Sequence, residues 1–277
     1  MDRPLCTRHP VLYHASVFQK RIFRYAWWYL GTASFARAKC NRLSHTVSSH
    51  RSLLVRKLAG TDRSLQLNKI TNLLIAAPLI SGVFIKPGEV FSFWRLVGRP
   101  SASRGFLPGL QLSMGEMIPV TGGGLCQLSN LLHWMFLFTE MTITERHRHG
   151  YDAFPDYRRT VPFGSGATVF YNYHDLICRN NSDMTYRIGL WLDGEYINGE
   201  ITCDGNTGYD VRIDERRHRF VRQEDNVYRE NELWRIVTDQ KTGDIVSEAL
   251  ITKNKAVVKY DPEEIPGVVV SPERLQC

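Results

Sequence analysis

Gly122-Gly123-Gly124-Leu125-Cys126-Gln127-Leu128-Ser129-Asn130-Leu131-Leu132-His133-Trp134-Met135-Phe136-Leu137-Phe138-Thr139 is the stretch around which the rest of the chain has to be arranged. From Cys126 to Thr139 it is apolar on nearly every face after its first turn. It is longer than an ordinary core strand of roughly 5–6 residues and shorter than the roughly 20 needed to span a bilayer. A helix that is apolar all round belongs inside a protein. The three glycines leading into it let main-chain amides converge on the helix N-terminus, where the helix dipole favours negative charge. The stretch predicts a central buried helix that opens on Cys126, with chemistry at its first turn.

Outward from this helix the texture changes twice. Residues 81–125 are punctuated by Pro87-Gly88, Gly98, Pro100, Gly105 and Pro108-Gly109, which leave room only for turns and short extended pieces. Within them Glu89–Trp94 has the composition of a strand. Residues 1–80 read mainly as helices: a basic, aromatic run over 16–30, then a Leu/Ile/Ala-rich segment from Leu53 to Ile80 that Pro78 should end. From residue 164 the pattern becomes β. Thr168–Tyr173 reads as a strand, and Tyr186–Leu192 and Glu195–Cys203 read as a hairpin about a type I′ turn at Asp193-Gly194. Further strands are expected at 227–238, 245–252 and 256–260, with a turn at Lys241-Thr242-Gly243-Asp244. The expected fold class is α+β, divided into a basic helical region over 1–64, a domain over 65–203 with the buried helix, and a β-rich extension over 204–277 with antiparallel sheet.

Composition excludes a disordered chain or a solenoid: 43% of the 277 residues are hydrophobic and 23% charged. The net charge of +7 is concentrated at the front, where residues 1–60 carry 11 Lys and Arg against Asp2 alone. A basic arm on a slightly acidic body suits a polyanion. No nucleic-acid recognition motif accompanies it, which favours peripheral contact with an anionic membrane through residues 16–60 over nucleic acid. The apolar run Tyr25–Ala36 is too short to span a bilayer, and it is too aromatic and too far along for a cleaved signal. The expected location is cytoplasmic, at most peripheral to the inner membrane face. Six scattered cysteines without a CxxC pair point to reduced thiols rather than structural zinc, and neither cofactor nor metal is expected.

Chemistry concentrates at Cys126. A thiol on the first turn of a helix should have its pKa lowered from about 8.5, into the ~3.5–7.5 range of activated cysteines, giving a nucleophilic thiolate. Gly123, the amides of Gly124, Leu125 and Cys126, and the side chain of Gln127 are candidates to hold an oxyanion. His147 and His149 lie two apart and share a face of an extended segment. His149 is the favoured base and His147 its companion, with Asp152 and Asp156 both open as orienting carboxylates. His133 reads as a core histidine. Phe91, Phe93 and Trp94 are expected to line the pocket. Against this stand a bland tight turn over a buried cysteine, a phosphate cradle that lacks the Lys-Ser/Thr of a P-loop, and a zinc site of Cys126, His147 and His149.

Successive blocks of the chain resemble the VanW family, whose members were first associated with glycopeptide resistance. The blocks are Pro87-Gly88-Glu89-Val90-Phe91-Ser92-Phe93, Val97-Gly98, Arg104-Gly105-Phe106, Gly122 to Ser129, Glu145-Arg146-His147-Arg148-His149, Gly166-Ala167-Thr168-Val169 and Asp175 to Asn181, in that order. The likeness covers about residues 65–200, the domain read above as 65–203. Phe154-Pro155-Asp156 and Pro162-Phe163-Gly164-Ser165-Gly166 are similar to the resistance-associated branch. Some exported VanW domains are understood to be L,D-transpeptidases that use the cysteine of this glycine block. The resemblance therefore implies that Cys126 corresponds to that nucleophile and that the partner is a peptidoglycan-type peptide or its precursor. Amidase chemistry on the same peptide, and a non-catalytic module that merely recognises it, stand as alternatives. Gly150 departs from the family pattern, where Ser often follows the second histidine.

Overall fold

The computed structural model describes residues 10–41, 43–55, 63–113, 116–152, 160–223 and 226–260. The front holds helix α1 (Pro10–Leu30), strand β1 (His45–Leu53) and helix α2 (Arg63–Ile80). Short elements follow: β2 (Phe84–Ile85), β3 (Val90–Ser92), helix α3 (Phe93–Val97), β4 (Pro108–Ser113) and β5 (Glu116–Thr121). The glycine block then enters helix α4 (Cys126–Phe136), succeeded by β6 (Thr142–Glu145), β7 (Tyr151–Asp152) and β8 (Ile177–Arg179). Long strands complete the chain: β9 (Tyr186–Leu192), β10 (Tyr196–Cys203), β11 (Tyr209–Gln223), β12 (Asn226–Asp239) and β13 (Ile245–Val258). This is an α+β fold.

Helix α4 begins at Cys126, as its sequence demands, and buries Leu128, Leu131, Leu132, Met135 and Phe136. One side packs on a four-stranded sheet in the order β1-β10-β9-β2. Contact there is so close that a Cβ on Gly199 of β10 would meet the end of Met135, 2.6 Å away. Beyond lies a three-stranded sheet, β3-β8-β6, whose Phe91 packs edge-on against Phe136 with ring centres 5.1 Å apart. Helix α2 packs against β9 of the first sheet, β4 and helix α3, burying Leu73, Ala76, Ala77 and Ile80. Pro78 sits inside its last turn, and the helix ends two residues later. The buried thiols of Cys178 and Cys203 fill gaps in this core as small apolar groups.

The C-terminal sheet, ordered β11-β12-β13-β7, is antiparallel except that β7 runs parallel to β13. Through β7 it is stitched to the body, because β7 begins one residue after His149, past Gly150. The stitch includes a buried ion pair, Arg229 Nη1 to Asp152 Oδ2 at 3.1 Å, where Tyr260 also donates its hydroxyl.

Several expectations are corrected. His45–Leu53, inside the region read as helical, is a strand that pairs along its length with β10. Trp94 belongs to helix α3, whose N-cap Ser92 accepts from the Arg95 amide. Thr168–Tyr173 is a looped segment rather than a strand. Asn172 sits there at φ 53°, a conformation Asn tolerates, and Phe170 turns back to bridge His174. The β9–β10 hairpin forms, but Gly194 does not take positive φ as a type I′ turn requires. Asp193 Oδ1 instead accepts from the amides of Glu195 and Tyr196 at 2.9 and 2.6 Å. Strand β11 was hidden by its charge, and the runs 245–252 and 256–260 are largely one continuous strand. Among the described residues, no helix is long and apolar enough to cross a membrane.

Candidate active site

The glycine loop is held by contacts that explain its composition. Gly123 lies against the main chain of Gly109, which a Cβ would strike, and Gly124 sits at φ 91°. Buried Asn72 of α2 pins the loop by donating to the carbonyls of Gly123 (2.9 Å) and Leu107 (3.0 Å) and accepting from the Leu107 amide. Asn72 is one of three amide side chains in α2, with Gln66 and Asn68, and its spacing alone does not single it out in the sequence. The Gly123 amide is spent on Val120 O at 2.7 Å. Among the described residues, no main-chain carbonyl accepts from the amides of Gly124, Leu125 or Cys126. These three amides are left free by main-chain carbonyls at the helix N-terminus, that of Cys126 contacting its own thiol.

Cys126, Ser129, Asn130 and His133 recur at helical spacing and make a polar stripe along α4. The loop 165–169 is strapped to that stripe. Cys126 Sγ contacts Val169 O at 3.6 Å, Ser129 Oγ donates to Ala167 O at 2.6 Å, Asn130 Oδ1 accepts from the Ala167 amide, and His133 Nδ1 meets Ser165 O at 2.7 Å. His133 is thus a core histidine, and burial drives its pKa down to about 3. Burial also pushes the Cys126 thiol up, with main-chain contacts at Val169 and at Cys126 itself acting against the shift. The helix N-terminus does not outweigh desolvation here, which reverses the direction expected from sequence. At rest this is a protonated thiol.

Two cavities meet at Cys126. The larger, about 340 Å³, is lined by Cys126, Gly124, Gln127, Asn130 and His149, with its far wall from residues 160–166 and β13. The smaller, about 150 Å³, lies on the other side, between the thiol and helix α1. His149 therefore shares a cavity with the thiol, and burial lowers its pKa, so it is neutral at pH 7. The thiol's hydrogen-bond contact is the Val169 carbonyl rather than either imidazole. Gln127 also faces the larger cavity, but its Nε2 donates to Ser52 Oγ and Leu53 O at 2.9 and 2.8 Å. Its amide anchors β1 instead of standing free for an oxyanion. Phe91 and Phe93 are wholly buried in the core, and only Trp94 of the three aromatics lines a cavity, the smaller one. Asp152 is engaged by Arg229, and Asp156 lies outside the described residues.

His147 lies elsewhere. Its Nε2 meets Glu145 Oε1 at 3.0 Å, and its ring rests 3.8 Å from that of His174, a partner invisible to sequence reading because the loop at Asn172 brings it there. Arg24 of α1 clamps the same carboxylate at 2.6 Å. Burial alone would raise the Glu145 pKa, but hydrogen bonds from His147, Arg24 and the Asp175 amide outweigh it and hold the carboxyl at about 2. Burial, with His147 and Lys20 nearby, lowers His174 to about 4. Buried Asp175 goes the other way, to about 6. Among the described residues, Cys126, His147 and His149 are not gathered into a group that could hold a metal.

These shifts set an acid limb of stability. Below about pH 6.5 the unfolded chain takes up protons that folded His133 and His174 refuse, so stability falls with pH. Glu145, with a folded pKa below its ordinary 4.5, contributes stability that is present above pH 4.5 and lost toward pH 2. Asp175 opposes this between about pH 6 and 3.8, where the folded state binds its proton first. Urea midpoints measured against pH should drop most steeply below about pH 4.5, and Glu145→Gln should flatten that segment. An unchanged slope in the variant would contradict the assignment.

Residues 68–202 match the model of the VanW-like protein family, a span that runs from α2 through β10 and contains the glycine loop, α4 and both histidines. Over 207 residues the chain is 36% identical to the vancomycin B-type resistance protein VanW of Enterococcus faecalis, covering 74% of this chain and 75% of that one. It is 29% identical over 112 residues to the uncharacterized protein YoaR of Bacillus subtilis, covering 39% of this chain and 34% of that protein. No solved structure matches the chain. The family-model match together with the 36% identity to the Enterococcus relative makes the chain a member of the VanW family.

Proposed function

We propose that the protein is a cysteine acyltransferase or amidase acting on a peptidoglycan-type peptide, as befits a relative of a vancomycin resistance protein. The observation that carries this reading is the meeting of three features at one place: the Cys126 thiol, the neutral imidazole of His149 in the same cavity, and the amides that main-chain carbonyls leave free at the α4 N-terminus. His149 takes the thiol proton as Sγ attacks a peptide carbonyl. The amides of Gly124, Leu125 and Cys126 receive the oxyanion. The C–N bond then breaks, the amine leaves with the proton held by His149, and water or a second amine resolves the thioester.

A resting thiol with a raised pKa makes the base essential. Activity should stay flat from about pH 8 down to 6.5 and fall only below, as His149 with its lowered pKa becomes protonated. His149→Ala should lower the rate by about 10²–10⁴-fold and abolish that acid limb. A variant that keeps both rate and profile would remove His149 from the mechanism.

The second reading is a binding module that recognises the same peptide without turnover. It is favoured by the part-buried thiol's contact with Val169 O and its place at the head of a structural stripe. Incubation with a stem peptide separates the two readings: release of a terminal residue supports catalysis, and saturable binding without product supports recognition alone. As for location, we place the protein on the cytoplasmic side against the inner membrane face. Helix α1 supports this by exposing Val11, Phe18, Ile22 and Tyr29 along one side of a segment free of acidic residues. The substrate met there is a lipid-linked precursor.

A further inference from the structure

The smaller cavity has a character of its own. Tyr13, Val17 and Arg21 stand four apart on α1 and form one stripe that closes it. Tyr171, Tyr173 and Trp94 supply aromatic walls, and Cys126 and Leu125 sit at its inner end. None of its lining residues is acidic. Arg21 donates Nε to Tyr171 O at 3.2 Å, which fixes the guanidinium, and no carboxylate pairs with it among the described residues. Arg24, one turn on, is by contrast fully engaged by Glu145. At about 150 Å³ the space holds roughly ten waters, which suits one small residue rather than a drug-sized ligand.

We infer that this cavity is a subsite for the carboxylate-bearing C-terminal residue of the peptide, anchored by Arg21. The inference rests on the proposed acyl transfer and gives it a direction. The acyl portion of the peptide lies in the larger cavity beside His149, and the terminal residue lies in the smaller one. The scissile carbonyl then sits at Cys126, between the two. When the C–N bond breaks, the terminal residue leaves as a free amino acid whose carboxylate stays on Arg21. A planar guanidinium recognises a carboxylate by two parallel hydrogen bonds, and an uncharged amide of the same shape cannot use both. Helix α1 thereby becomes part of the site, because it carries the anchor.

The test uses two thiol reagents of nearly equal size, anionic iodoacetate and neutral iodoacetamide, on the full chain at about pH 9. The rate ratio of iodoacetate to iodoacetamide at Cys126 should fall about tenfold in Arg21→Gln and recover in part in Arg21→Lys, as expected for loss of one charge-assisted contact. Equal circular dichroism and melting of the variants exclude a folding defect. An unchanged ratio in folded Arg21→Gln overturns the subsite. Should Cys126 react with neither reagent, the nucleophile reading fails, and binding decides the subsite separately. N-acetyl-D-alanine should then bind wild type more tightly than N-acetyl-D-alaninamide, and Arg21→Gln should erase the difference. Equal binding of both by wild type would refute it.

Discussion

Replacing Cys126 with alanine is expected to lower turnover of a stem peptide by about 10⁴-fold or more while leaving the fold intact. The two effects separate because the sulfur has two jobs of unequal weight. Structurally it offers one long contact to Val169 O, beside stronger straps from Ser129 and His133 to the same loop. Losing it should cost about 1 kcal/mol. Chemically it is the group that becomes bonded to the acyl carbon, and no other described side chain of the larger cavity is a thiol. A melting curve and a rate on the same preparation check both parts. A variant that unfolds would assign Cys126 to the core, and one that retains turnover would remove it from the reaction.

Arg229→Ala is expected to destabilise the protein by about 3–5 kcal/mol, because it removes one member of a buried ion pair with Asp152. Both side chains are almost wholly buried, at 3% and 4% exposure, so solvent cannot compensate. Arg229 also stacks between the rings of Phe163 and Phe220 and donates Nε to His218 at 2.9 Å. A typical domain is stable by only about 5–15 kcal/mol, so this one change removes a large part of the total. Replacing Arg229 and Asp152 together with leucines should recover much of the loss. Urea denaturation of the single and double variants provides the measure, and a single variant within about 0.5 kcal/mol of wild type would refute the pairing. The site should suffer as well. β7 carries Asp152 and starts just past His149 and Gly150, so loosening it from β13 loosens the wall that holds the imidazole in the thiol's cavity.

What could be read in the sequence follows physical lines. The largely apolar run after three glycines specified the start of α4 at Cys126, although the helix ends at Phe136, three residues short of the expected Thr139. The β9–β10 hairpin and strands β12 and β13 were legible because their alternation is local, although Asp193 rather than a positive-φ glycine makes the hairpin turn. Strand β1 was not, since His45–Leu53 is polar and becomes a strand only by pairing with β10. β11 was masked by charges that lie on an exposed face. In the site, Cys126 and His149 were both singled out from the sequence, and they line one cavity without a hydrogen bond between them. The separation of His147 from them depends on a loop turned by Asn172, and the spending of the Gln127 amide depends on β1. Neither dependence is written in local spacing. The thiol's pKa was misjudged because sequence shows a helix N-terminus but not the desolvation that competes with it.

The most direct measurement of the central claim is intact-protein mass spectrometry after incubation with an activated acyl donor, with the adduct mapped by peptide digestion. The account predicts one added acyl group on Cys126, absent from Cys126→Ala, slowed in His149→Ala, and released by an amine or by water. A folded wild-type protein that binds the peptide yet acquires no mass at Cys126 between about pH 6 and 9 would contradict it.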